Sequence, residues 1–149
     1  FQERINSFHI PNGRGNLIYN DNYIIINDTY NSNYSSTISG IKSLSSFRGT
    51  GHRKIVVLGD MLELGDAAEN FHVNILDHLI ENNINDVFLY GELMEYLYKS
   101  LDNKNINVFY FQNQNELIRA LNMYISNNDV IYIKGSRGMK MENIIKGIK

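Results

Sequence analysis

The sequence predicts an α/β fold, an open and mostly parallel sheet with helices on both faces. Three observations carry that prediction. Short apolar runs recur that are nearly continuous rather than alternating, the pattern of strands covered on both sides. Segments with apolar residues at helical spacing lie between them. The two kinds alternate through short connections from residue 23 to the end of the chain, which implies βαβ crossovers.

Five runs read as strands: YIIIND (23–28), KIVVLGD (54–60), DVFLYG (86–91), NVFYF (107–111) and DVIYIKG (129–135). An earlier strand lies in NLIYNDNYIII, where Asn20-Asp21-Asn22 turns the chain into the next. SSTISGIKSLSSF places Ile38, Ile41 and Leu44 on one helical face, with Ser35 or Ser36 as N-cap. DAAENFHVNILDHLIENN puts Phe71, Ile75, Leu76, Leu79 and Ile80 on one stripe. ELMEYLYKSL is a short helix, NQNELIRALNMYISNN carries Leu117, Leu121 and Tyr124, and MENIIKGIK closes the chain. Together these elements predict a Rossmann-like sheet. Around residues 11–22, Pro11, Gly13 and Gly15 punctuate a stretch without helical or strand period. Residues 1–20 are therefore expected to be the end of a preceding domain plus a hinge, and 21–149 the α/β domain.

With 149 residues the chain suffices for one domain with a proper core. A net charge of −2 gives no electrostatic footprint for nucleic acid or an anionic membrane. No apolar run approaches the ~20 residues of a membrane helix. The absence of cysteine excludes disulfides and thiolate metal sites, in keeping with a reducing cytoplasm. The polar opening FQERINSF, without an initiating Met, is expected of a fragment of something longer.

Ligands of open α/β sheets bind outside the carboxyl ends of the strands. Four polar clusters fall there: NDTYNSN (27–33), GDMLELG (59–65), YGE (90–92) and KGSRGMKME (134–142). Asp28 ends a strand, where a carboxylate accepts ribose hydroxyls; an Asx turn or helix cap for SNYSS is the alternative. In KGSRGMKME, Lys134 and Arg137 flank Gly135 and Ser136 at a strand-to-helix turn. Two cations, a hydroxyl and free backbone amides suit a carboxylate or phosphate; surface cations on a loop are the alternative. The GxxxxGK[ST] spacing of a triphosphate-binding loop is absent. NGRGN sets Arg14 between two glycines, as a phosphate fork or as part of a plain linker. His72 and His78, six apart on one helix, have no partner at metal-ligand spacing and read as capping or surface histidines.

In order and spacing, NGRG, INDTYNSNYSS, VVLGDMLELG followed by His72, and IKGSRGMKME resemble the C-terminal third of the Mur ligases. LGDMLELG and KGSRGMKME resemble the branch that adds D-alanyl-D-alanine to UDP-N-acetylmuramoyl-tripeptide. The resemblance implies a three-domain, ATP-dependent enzyme of peptidoglycan synthesis. Its central domain would hold the P-loop and the Mg2+ that bridges the phosphates, and its acyl phosphate would be attacked by the dipeptide amine. It further implies that Arg14 contacts the nucleotide, that Asp28 holds the ribose, and that Asn31 and Asn33 line the cleft. Lys134, Ser136 and Arg137 would take the dipeptide carboxylate, and Asp60 and Glu63 would orient the amine or neighbouring cations. Tyr34 stands where the family usually has Pro. The residues themselves leave two rivals open: a folylpolyglutamate- or cyanophycin-type amide ligase, and a stand-alone flavodoxin-like binding module.

Overall fold

A computed structural model of the protein describes residues 13–47, 53–102 and 104–149. Most of the expected domain end and hinge, residues 1–12, lies outside them. Six strands form one sheet: β1 (Asn16–Tyr19), β2 (Ile24–Asp28), β3 (Lys54–Gly59), β4 (Asp86–Tyr90), β5 (Asn107–Phe111) and β6 (Val130–Lys134). Their order is β1-β2-β6-β3-β4-β5, so the last strand in sequence lies inside the sheet. Only the β1–β2 pair is antiparallel. Its turn is set by Asn20, whose Oδ1 accepts from the amides of Asn22 (2.7 Å) and Tyr23 (2.9 Å), an Asx turn. Residues 16–19 thus join the sheet of the α/β domain.

Among the described residues, four helices connect strands, α1 (Tyr34–Ser46), α2 (Ala68–Glu81), α3 (Met94–Ser100) and α4 (Gln114–Tyr124), and α5 (Glu142–Gly147) follows β6. Two hydrophobic clusters show which face each helix covers. Ile41 and Leu44 of α1, Ile75 and Leu79 of α2, and Met94 and Leu97 of α3 pack on one side. Leu117 and Leu121 of α4 and Ile144 and Ile145 of α5 pack on the other. Residues of β3 alternate between the two, with Val56 and Leu58 in one cluster and Ile55 and Val57 in the other. That double covering is why the strand runs are continuously apolar. Burying each such aliphatic side chain is worth roughly 1.5–3 kcal/mol.

Two local expectations are corrected. The N-cap of α1 is Asn33, not a serine: its Oδ1 accepts from Ser36 N at 2.8 Å, and Ser36 Oγ accepts from Asn33 N at 3.1 Å. The amide of Asn forms this cap readily, and Ser36 three residues on completes a capping box. Ile80 leaves the buried stripe of α2 and is 49% exposed. After β6 the chain makes a short 3-10 turn at Arg137–Met139 and passes through left-handed Lys140 before α5 begins.

The topology also fixes where a ligand would sit. The helix that follows β6 (α5) covers one face, whereas those that follow its neighbours β2 (α1) and β3 (α2) cover the other. A crevice opens where the connections part in this way. It lies at the carboxyl ends of β2, β6 and β3, which Asp28, Lys134 and Gly59 close.

Candidate functional site

Asp28 and Lys134 are register partners at the ends of β2 and β6, so their side chains meet. Lys134 Nζ lies 3.0 Å from Asp28 Oδ2 and also donates to the carbonyl of Asn31 at 2.9 Å. The Tyr132 hydroxyl donates to the same Oδ2. Lys134 is almost fully buried, and its charge is met by this carboxylate and carbonyl. Asp28 itself keeps a side-chain exposure of 22%.

The glycine-flanked arginine lies beside this pair. Gly13 (φ 68°) accepts from Tyr30 N at 2.9 Å, and Gly15 N donates to Asn27 O at 2.7 Å. A Cβ at Gly13 would lie 2.6 Å from Thr29 Oγ1, so the close passage of the two segments needs glycine there. Arg14 is thereby held over the ring of Tyr30, 4.1 Å from guanidinium carbon to centroid. Arg137 approaches the same ring at 5.3 Å. Two guanidinium groups thus gather on one exposed tyrosine by cation–π attraction. Among the described residues Arg137 forms no ion pair. Tyr30 was not singled out by sequence reasoning; its place inside NDTYNSN was the available signal.

Ser136 is buried and ties three loops together. Its amide donates to Asp60 O (3.1 Å), its Oγ accepts from Leu62 N (2.8 Å), and the hydroxyl reaches Ser32 O (3.4 Å). Its amide and hydroxyl are therefore engaged within the protein. Asn33 is committed to its cap, and the exposed Asn31 accepts from Ser32 N at 2.8 Å.

Asp60 occupies the next strand tip and is buried. Its carboxylate accepts from Leu93 N (3.1 Å) and Met94 N (2.9 Å) at the start of α3. Gly91 (φ 117°) makes room, since a Cβ there would come within 2.4 Å of the carboxyl carbon. Burial raises the Asp60 pKa, against the two amides and nearby His72, which lower it. His72 is not the capping or surface residue expected but completely buried. Its Nε2 accepts from Met61 N (3.0 Å), so Nδ1 carries the proton and donates to Ala68 O (2.7 Å). Burial lowers its pKa. Glu63 is exposed at the tip of this loop, with φ 66°.

A cleft of about 860 Å³ opens beside β3, β4 and β5, lined by Asp60, Glu92, Glu95, Lys99, Gln112 and Met139 among others. Asp28, Arg14 and Arg137 do not line it. The strand tips thus form two adjoining regions at one end of the sheet: a cationic one around Tyr30, and an acidic cleft reached through Asp60. Ser136 joins them.

The family model for the Mur ligase glutamate ligase domain matches residues 13–137. This chain belongs to the Mur ligase family. UDP-N-acetylmuramoyl-tripeptide–D-alanyl-D-alanine ligase of Bacillus subtilis is 36% identical over 126 residues, 83% of this chain and 27% of that protein. The ligase of the same name from Buchnera aphidicola subsp. Baizongia pistaciae is 39% identical over 124 residues, 82% and 25% of the two chains. A crystal structure of MurF from Acinetobacter baumannii matches 91% of this chain and 30% of its own, at TM-score 0.79 and 26% identity. The Thermotoga maritima MurF structure in complex with ADP has the same fold, with TM-score 0.76 and 24% identity over 92% and 30% of the chains. This Mur ligase domain spans about a quarter to a third of the length of those relatives.

Proposed function

We propose that this domain is the C-terminal clamp of an ATP-dependent ligase that adds D-alanyl-D-alanine to UDP-N-acetylmuramoyl-tripeptide in the cytoplasm. The observation that carries the reading is the pair Arg14 and Arg137 drawn over Tyr30 beside a carboxylate, Asp28, held from one side only. Asp28 accepts the ribose hydroxyls of ATP, and Arg14 meets its phosphates from the hinge. Arg137 takes the dipeptide carboxylate through charge-assisted hydrogen bonds, worth roughly 1.5–3 kcal/mol. Asn31 and Asn33 border the nucleotide. Lys134 and Ser136 act from behind, the one by fixing Asp28 and the other by joining the loops. Asp60 and Glu63 place negative charge on the side from which the dipeptide ammonium arrives.

ATP would phosphorylate the tripeptide carboxylate, and the amine would displace phosphate from that acyl phosphate. Among the described residues no group of three or more His, Asp or Glu side chains could hold a metal. Magnesium and the triphosphate grip would belong to the central domain that the family resemblance implies. The contribution of this domain is orientation, which is worth up to about 7–11 kcal/mol of barrier in well-aligned reactions. The curated relatives described above favour this branch over folylpolyglutamate- or cyanophycin-type ligases, because both carry the D-alanyl-D-alanine ligase name.

Steady-state kinetics on the full-length protein test the assignment. Asp28→Ala is expected to raise KM for ATP, and Arg137→Ala to raise chiefly that for D-alanyl-D-alanine, each about tenfold for one lost charged contact. The reverse pattern would exchange the two roles.

A further inference from the structure

We infer that Tyr132 is a positioning residue for the Asp28 carboxylate, and that residue 40 must be glycine to leave Tyr132 the room to act. The inference rests on the reading of Asp28 as the acceptor of the ribose hydroxyls.

Tyr132 and Lys134 are two apart on β6, so both side chains project from the same face of the sheet. Beside them, β2 pairs in register, with Ile26 against Tyr132 and Asp28 against Lys134. The Tyr132 ring belongs to the apolar cluster under α1, α2 and α3, and the residue is 2% exposed. Phenylalanine would serve that packing equally well. The hydroxyl adds a buried polar group that must find a partner, and the partner it has is Asp28 Oδ2. Burial and the adjacent carboxylate both raise the Tyr132 pKa, so the phenol stays a proton donor.

A second concession points to the same carboxylate. Gly40 sits inside α1, where glycine costs about 1 kcal/mol relative to alanine. A Cβ at that position would lie 1.7 Å from the Tyr132 hydroxyl oxygen and 2.3 Å from the ring carbon that bears it. The helix thus gives up propensity where the tyrosine tip passes beneath it. Tyr132 and Lys134 both donate to Oδ2, whereas Oδ1 has no hydrogen-bond partner among the described residues. Two donors on one oxygen fix the plane of the carboxylate and present the other oxygen outward.

Discrimination between ATP and 2′,3′-dideoxy-ATP by the full-length protein tests this, because packing alone does not read the ribose hydroxyls. The wild type is expected to prefer ATP, and Asp28→Ala to lose the preference. Tyr132→Phe, which keeps the ring, is expected to reduce the preference several-fold while leaving KM for D-alanyl-D-alanine unchanged. Gly40→Ala, which displaces the hydroxyl from the opposite side, is the second variant and is expected to act in the same direction. If Asp28→Ala abolishes the preference but Tyr132→Phe and Gly40→Ala retain it in full, the positioning role is overturned and the ribose reading stands. If Asp28→Ala retains the preference, both fall.

Discussion

Asp60, just past β3, and His72, on α2, are both buried on either side of Met61, and desolvation drives their pKa values in opposite directions, Asp60 up and His72 down. Below its ordinary value of about 6.5, the unfolded chain protonates His72 before the folded one does. The stability His72 contributes is therefore complete above that value and is lost as pH falls toward the folded pKa. Asp60 has the opposite sign: its contribution is complete below the ordinary carboxylate range and is lost as pH rises through the folded pKa. Urea unfolding midpoints should accordingly drop between pH 7.5 and 5.5. In His72→Gln, which keeps an acceptor for Met61 N, that drop should shrink; an unchanged pH slope would exclude His72 as its source. Asp60→Ala strands two amides at the start of α3 and should cost about 1–3 kcal/mol, measured in the same way. Sequence reasoning placed Asp28, Asp60, Lys134 and Arg137 together at the strand tips, because residues that end parallel strands share one edge. It could not foresee that Lys134 would be buried by its partner across the sheet, nor that two arginines would converge on Tyr30. Those facts depend on register between segments some hundred residues apart.

Helix α1 carries two position-specific demands. Asn33→Ala removes the box that satisfies its first amides and should destabilise the chain by about 1 kcal/mol. Gly40→Ala should also destabilise it, by about 1–3 kcal/mol from overpacking, although alanine is the better helix former. Denaturant midpoints of the two variants separate these effects from any change in ligand affinity. The strands were legible to within a residue or so, because continuous apolar runs bounded by turn residues admit few other arrangements. Helix starts were less so. YNSNYSS offers several capping side chains in a row, and only the backbone decides that Asn33 (φ −144°) is the one outside the helix. Lys140 is left-handed just before α5, and no glycine marks the place.

At the scale of the whole molecule, the proposed function makes this domain one half of a clamp. The cationic residues and the acidic cleft face outward from one end of the sheet, and no triphosphate-binding loop occurs in the sequence. Residues 1–149 by themselves should therefore release no phosphate from ATP when supplied with tripeptide precursor and D-alanyl-D-alanine. Phosphate release at a rate comparable to that of the full-length protein would refute the clamp reading.

The position of β6 between β2 and β3 has a consequence for biosynthesis. It is the last of the six strands to leave the ribosome, yet it is the spine on which the other five depend for one continuous sheet. Until it emerges, the nascent chain holds two separate ribbons, and neither Lys134 nor Arg137 exists to meet Asp28 and Tyr30. A stop codon anywhere before Asp129 thus removes the sheet's cohesion and Lys134 and Arg137 in a single event.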